Sequence, residues 1–169
     1  MLIETEYNRQ LAVRYALNWA FARNPIFYDF ENIGGDCTNF VSQCLYAGGG
    51  TMNFSAENGW YYIDLDDRAP AWTGTVFLNR FLLTNEGAGV YGRRVPLDRV
   101  VPGDIIQLKD EDGRLYHSMI VTFVLYPVTE QNVFVSAHSY DARNRRLSTY
   151  SYADTEPIQI LGSRMELLV

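Results

Sequence analysis

The chain has 169 residues with 14 basic and 20 acidic side chains, a net charge of −6. That balance argues against a nucleic-acid footprint and against an anionic membrane surface, so neither is expected as a partner. Hydrophobic residues make up 47% and aromatics 14%, which excludes a disordered chain and suits one unit over residues 1–169 with a sizeable core.

Helical periodicity runs from Asn8 to Arg23, with Leu11, Ala12, Tyr15, Ala16, Trp19 and Ala20 on one apolar stripe and Asn24-Pro25 as its stop. A second helix is predicted from Asp36 to Ala47, ended by Gly48-Gly49-Gly50, with Cys37, Phe40, Val41, Cys44 and Leu45 as its apolar face. An irregular segment, 51–74, follows, and then a third helix from Thr75 to Thr84. After Gly87 the pattern alternates with period two. Strands are predicted over Asp104–Leu108, Tyr116–Leu125, Asn132–His138, Leu147–Tyr152 and Ile158–Leu167. Helices first and strands second imply an α+β domain with an antiparallel sheet.

The chemistry concentrates at Gly34-Gly35-Asp36-Cys37, a tight turn opening into the second helix. The free N–H groups and positive dipole end of a helix favour a thiolate there. The other cysteine, Cys44, lies seven residues along the same helix. At ~1.5 Å per residue the Cα atoms are roughly 10 Å apart, beyond the ~7 Å reach of a disulfide, so both thiols are expected free. Cys44, in mid-helix, reads as structural.

Only two histidines are present, His117 and His138. A short connection through Pro127 makes their strands an antiparallel hairpin. With Pro127-Val128 as the turn centre, His117 lies opposite His138. A register slip of two keeps them on one face, and a slip of one separates them. On this reading Cys37 attacks an amide or ester carbonyl, His117 takes and returns the proton, and His138 orients His117, with Asp141 as the substitute orienter. The Cys37 backbone N–H is a candidate oxyanion donor. Asp36 is a candidate helix cap, although its charge opposes a low cysteine pKa.

Asp36-Cys37-Thr38-Asn39-Phe40, Val101-Pro102-Gly103-Asp104-Ile105-Ile106, and His117-Ser118-Met119-Ile120-Val121 followed by Val133 through His138 resemble three motifs of the NlpC-like cysteine peptidases, a branch of the papain superfamily. Together with Tyr7-Asn8-Arg9, Tyr15 through Trp19, Gly34 through Leu45, Gly59 through Tyr62 and Trp72-Thr73, they are most similar to the putative amidase domain family of bacteria, a relative of that group. The resemblance spans roughly residues 7 to 162. It implies a papain-like α+β fold and a Cys37, His117, His138 site acting on peptide or amide bonds, as in cell-wall peptides, with no cofactor and no metal. Thr-Asn replaces the family's Ser-Gly after the cysteine. Its upstream tyrosine has a loose counterpart in Tyr28, a candidate oxyanion group.

Thr38, Asn39, Trp60 and Trp72 are candidate substrate contacts, although the tryptophans equally suit a satellite core beneath the irregular segment. Rival readings are an acyltransferase using the same thioester, a non-catalytic binding module, and a zinc site from Cys37, His117, His138 and Asp36. The start, Met1 to Tyr7, lacks a basic region followed by an apolar one. The expected location is cytoplasmic for a complete chain, and extracellular or at the cell wall for an excised domain.

Overall fold

The computed structural model describes residues 1–167 and is α+β. A short strand, β1 (Leu2–Thr5), leads into α1 (Arg9–Trp19), α2 (Cys37–Gly49), α3 (Pro70–Thr73) and α4 (Thr75–Thr84). The remaining strands are β2 (Gly89–Arg94), β3 (Ile105–Lys109), β4 (Leu115–Val124), β5 (Val133–Ala137), β6 (Ala142–Arg146) and β7 (Asp154–Glu166). They form one antiparallel sheet in the order β1-β7-β3-β4-β5-β6, and β2 also pairs with β7.

Helix α1 starts where Asn8 accepts a hydrogen bond from Leu11 N, and α2 ends where Gly50 turns left-handed at φ 73°. The predicted α4 agrees with the sequence reading at both ends. The strand predicted over Leu147–Tyr152 is instead a 3-10 turn, Leu147–Thr149, and a strand precedes it at Ala142–Arg146. That edge strand, Ala-Arg-Asn-Arg-Arg, carries no alternating apolar face, so it reads as a loop. β1, α3 and β2 are equally short, or polar, or glycine-rich.

Helix α2 is the hub. Every residue from Cys37 to Leu45 is buried, so the expected one-sided helix is buried all round. Its polar side chains are accommodated by partners. Ser42 donates to Trp72 O and accepts from Trp60 Nε1, and Gln43 accepts from the Tyr15 hydroxyl. One face of the sheet, with Ile105, Ile120, Ile158 and Ile160, packs with Phe40, Val41 and Leu45 of α2 and with the other helices. The opposite face carries Ile106, Leu108, Met119, Val121, Val133 and Val135 in a second cluster.

The Pro102-Gly103-Asp104 turn locks α1 to the sheet. Asp104 is fully buried, accepts from Arg9 Nη1 at 2.6 Å and Ile160 N at 3.0 Å, and accepts from Val101 N through its other oxygen. Burial pushes its carboxyl up, opposed by these hydrogen bonds and the Arg9 charge. Gly103 sits at φ 93°, where a Cβ would also press on Arg9.

Candidate active site

Cys37 is the first residue of α2, and its side chain opens into a cavity of about 380 Å³. It is lined by Glu31, Gly34 and Gly35 of the turn, by Leu108, Tyr116 and His117 of β3 and β4, and by Ser139, Tyr140, Arg145, Tyr150 and Ser151. Cys37 and His117 therefore face one space, contributed by elements 80 residues apart. A larger concavity of about 1010 Å³ lies elsewhere, lined by Met52, Asn53, Thr84 and Asn85 among others, and contains no cysteine or histidine.

The two thiols are free, as expected. Burial pushes the Cys44 thiol well up, which fits an inert core position. Burial, joined by the Arg145 charge, pulls His117 down to about 4. At neutral pH its imidazole is uncharged and has a lone pair to accept a proton. Among the described residues its ring nitrogens have no hydrogen-bond partner. Its nearest aromatic neighbour is Tyr150, with ring centroids 6.0 Å apart.

His138 is elsewhere, and the reason is a bulge. At the turn end of the hairpin Val124 faces Val133, a register that continued would set His138 across from Met119, on the face of His117. Between Val121 and Phe123 the register shifts by one, and Ile120 then faces Ser136. Continued from there, His138 lies across from Ser118, on the α2 side of the sheet. Thr122, the extra residue, is held by Ser136 and Asn144.

His138 is 1% exposed and stacks on Phe40 at 4.1 Å between ring centroids. Its Nδ1 meets Asp36 Oδ2 at 2.5 Å and its Nε2 meets the Trp19 carbonyl at 2.7 Å. A carbonyl only accepts, so Nε2 carries a proton, and neither nitrogen is free for Cys37 or His117. The expected orienting contact from His138 to His117 is thus replaced by a clamp behind the Cys37 turn. Asp141, the substitute, is taken up by a two-point pair with Arg23 at 2.9 and 3.0 Å.

Asp36 does not cap its helix. Its Oδ1 accepts from Phe30 N and Asn39 Nδ2, both at 2.8 Å, while its own N–H donates to Ser139 Oγ. The carboxylate fastens the turn from below instead of filling the helix mouth. Tyr28 is 41% exposed and lines no part of the Cys37 cavity. Its backbone N–H donates to the Tyr62 hydroxyl and its carbonyl accepts from Asn39.

The four candidate substrate contacts are also turned inward. Thr38 Oγ1 bonds Thr75 and Ser118, each at 3.0 Å. Asn39 accepts from Trp72 Nε1, and Trp60 and Trp72 are fully buried against each other at 4.9 Å. They are the core beneath the irregular segment, and no surface of theirs is left for a substrate. The Thr-Asn that follows the cysteine serves helix and sheet cohesion.

The cavity residues missed by sequence reading are Tyr116, Ser139, Tyr140, Arg145 and Tyr150. Ser139 and Tyr140 are both left-handed, at φ 58° and 67°, in the β5–β6 turn. Such a turn normally uses Asn and Gly, so Ser-Tyr gives no turn signal. Among the described residues no group of three or more His, Cys, Asp or Glu is placed to hold a metal ion, and no helix is long and apolar enough to cross a membrane. The zinc reading also lacks its third ligand, because His138 is engaged at both nitrogens.

A cysteine at a helix mouth, sharing a cavity with an uncharged histidine, is the arrangement that gives meaning to one further observation: residues 6–161 match the family described as the putative amidase domain. The chain belongs to that family. Membership points to amide-bond hydrolysis at a coarse level. The chain is also 33% identical over 153 residues to the uncharacterized protein YhbB of Bacillus subtilis (strain 168), a match covering 89% of this chain and 46% of that protein. It therefore spans about half the length of that relative. No solved structure is matched.

Proposed function

We propose that this amidase-family domain is a cysteine hydrolase of NlpC-like, papain-like design. Cys37 is its nucleophile and His117 its general base and acid. The observation that carries the reading is that Cys37, at the first position of α2, and His117, on β4, line one cavity.

His117 removes the Cys37 thiol proton as sulfur attacks the amide carbonyl carbon. Negative charge developing on the carbonyl oxygen is met by the Cys37 backbone N–H, one of the unpaired donors of the α2 mouth. The tetrahedral intermediate collapses, the C–N bond breaks, and His117 returns its proton to the departing amine. Water then attacks the thioester with His117 taking its proton, and the acid and free thiol are released. Asp36 and His138 act through the turn: they touch neither substrate nor His117 and hold the Cys37 N–H in place.

Peptide and amide bonds, those of cell-wall peptides included, are the substrate class to test. Purified protein incubated with an amide and muropeptide panel should release amine. Cys37→Ala and His117→Ala should each abolish release without changing the circular dichroism spectrum. Near-native turnover by either folded variant would overturn the assignment.

A further inference from the structure

We infer that Arg145 is a substrate-recognition residue that pairs with a free carboxylate next to the scissile amide. The inference rests on the hydrolase reading above and deepens it by naming a substrate class. Arg145 lines the same cavity as Cys37 and His117 and is half-buried there. Its guanidinium is fixed in place: Nε donates to Thr149 Oγ1 at 2.8 Å, Nη2 donates to the Thr149 carbonyl at 2.9 Å, and the cation lies 3.9 Å from the Tyr150 ring centroid.

Neither Thr149 contact neutralises the charge, and among the described residues Arg145 has no carboxylate partner within salt-bridge distance. Glu31, the carboxylate that also lines the cavity, is directed to Arg23 at 3.5 Å and to Ser139 at 3.2 Å. Nη1 of Arg145 therefore keeps its donors for a visitor. A planar, stacked guanidinium with free N–H groups is suited to a carboxylate, and its orientation is already set before binding.

The placement carries a cost that substrate binding relieves. The Arg145 charge is one of the two causes that hold His117 low. A carboxylate docked on Arg145 offsets that charge and makes His117 a stronger base when an acidic substrate is present. Neutral amides would lack both the anchor and this gain.

Two alkylating agents of nearly the same size test the point without a known substrate. Iodoacetate carries a carboxylate and iodoacetamide a neutral amide. In both reactions sulfur displaces iodide, which leaves with the C–I electron pair, and the thiol proton passes to His117. Cys37 labelling by each is followed by mass spectrometry on the intact protein, with rates divided by those of glutathione to remove intrinsic reactivity. The iodoacetate-to-iodoacetamide ratio should exceed that of glutathione roughly tenfold, the scale of one charge-assisted hydrogen bond.

Arg145→Met should bring the ratio to that of glutathione, and Arg145→Lys should leave part of the preference. A wild-type ratio no higher than that of glutathione would overturn the inference. So would a preference kept by folded Arg145→Met, or, should that variant not fold, by folded Arg145→Gln. Failure of both reagents to label Cys37 in folded protein would instead overturn the hydrolase reading itself, so the two failures are told apart.

Discussion

Replacing His138 with alanine separates the two roles open to this histidine. The ring is 1% exposed and makes a 2.5 Å contact to Asp36, a 2.7 Å contact to the Trp19 carbonyl and a 4.1 Å stack on Phe40. Removing one partner of this buried contact costs about 3–5 kcal/mol, because the Asp36 carboxyl stays buried without it. Arg23 Nε, 3.6 Å from Asp36 Oδ2, can take up part of the lost pairing, which favours the lower end, about 3 kcal/mol. For a domain of this size that is a fall in Tm of roughly 6–12 °C. Urea and thermal melts by circular dichroism read it directly.

The same variant should keep the acid limb of Cys37 alkylation where the wild type has it, since burial and Arg145, not His138, set the His117 titration. A His138→Ala protein that melts like the wild type and shifts that limb would refute the clamp and restore His138 as the orienter of His117.

Other outcomes follow from the same contacts. With His117 held at about 4 against an unfolded value of 6.5, the unfolded chain binds the extra proton between those pH values. The group's contribution is thus fully present above pH 6.5 and about 3 kcal/mol is lost as pH falls toward 4, so urea midpoints should drop in wild type and less in His117→Gln. Asp104→Asn should cost about 2–3 kcal/mol in urea melts by breaking the buried pair with Arg9, while Cys37 alkylation in the folded fraction stays within a few-fold of wild type. Gly35→Ala meets φ +99° and a Ser139 Oγ 3.2 Å from the new Cβ. It should cost about 1–2 kcal/mol and slow Cys37 alkylation, whereas Gly34→Ala, with open space at its Cβ, should pay only the backbone cost of its φ +87°.

The helices were legible because their periodicity is clear, and α4 matches from Thr75 to Thr84, but α1 closes at Trp19, short of the Asn24-Pro25 stop, and α2 runs on through Gly48 and Gly49 to its cap at Gly50. The cysteine turn was legible because Gly34-Gly35 announce it. The pairing of β4 with β5 was legible, but the face of His138 was not. A bulge at Thr122 flips every residue beyond it, and threonine is an ordinary strand residue with nothing to mark it as the inserted one. The inward direction of Thr38, Asn39, Trp60 and Trp72 was hidden by polarity. Their polar atoms find partners distant in the chain, such as Ser118 for Thr38 and Asn39 for Trp72. Arg145 was missed because a charged edge strand looks like a loop until the 3-10 turn at Leu147–Thr149 brings Thr149 back to hold its guanidinium.

The most direct measurement is amide turnover by Cys37→Ala alongside an intact-mass trap of the wild type quenched during turnover. Loss of amine release in the folded variant, with a substrate-derived acyl adduct mapped to Cys37 in the wild type, is the expected result. Undiminished release by folded Cys37→Ala, with no adduct on the wild-type thiol, would contradict it.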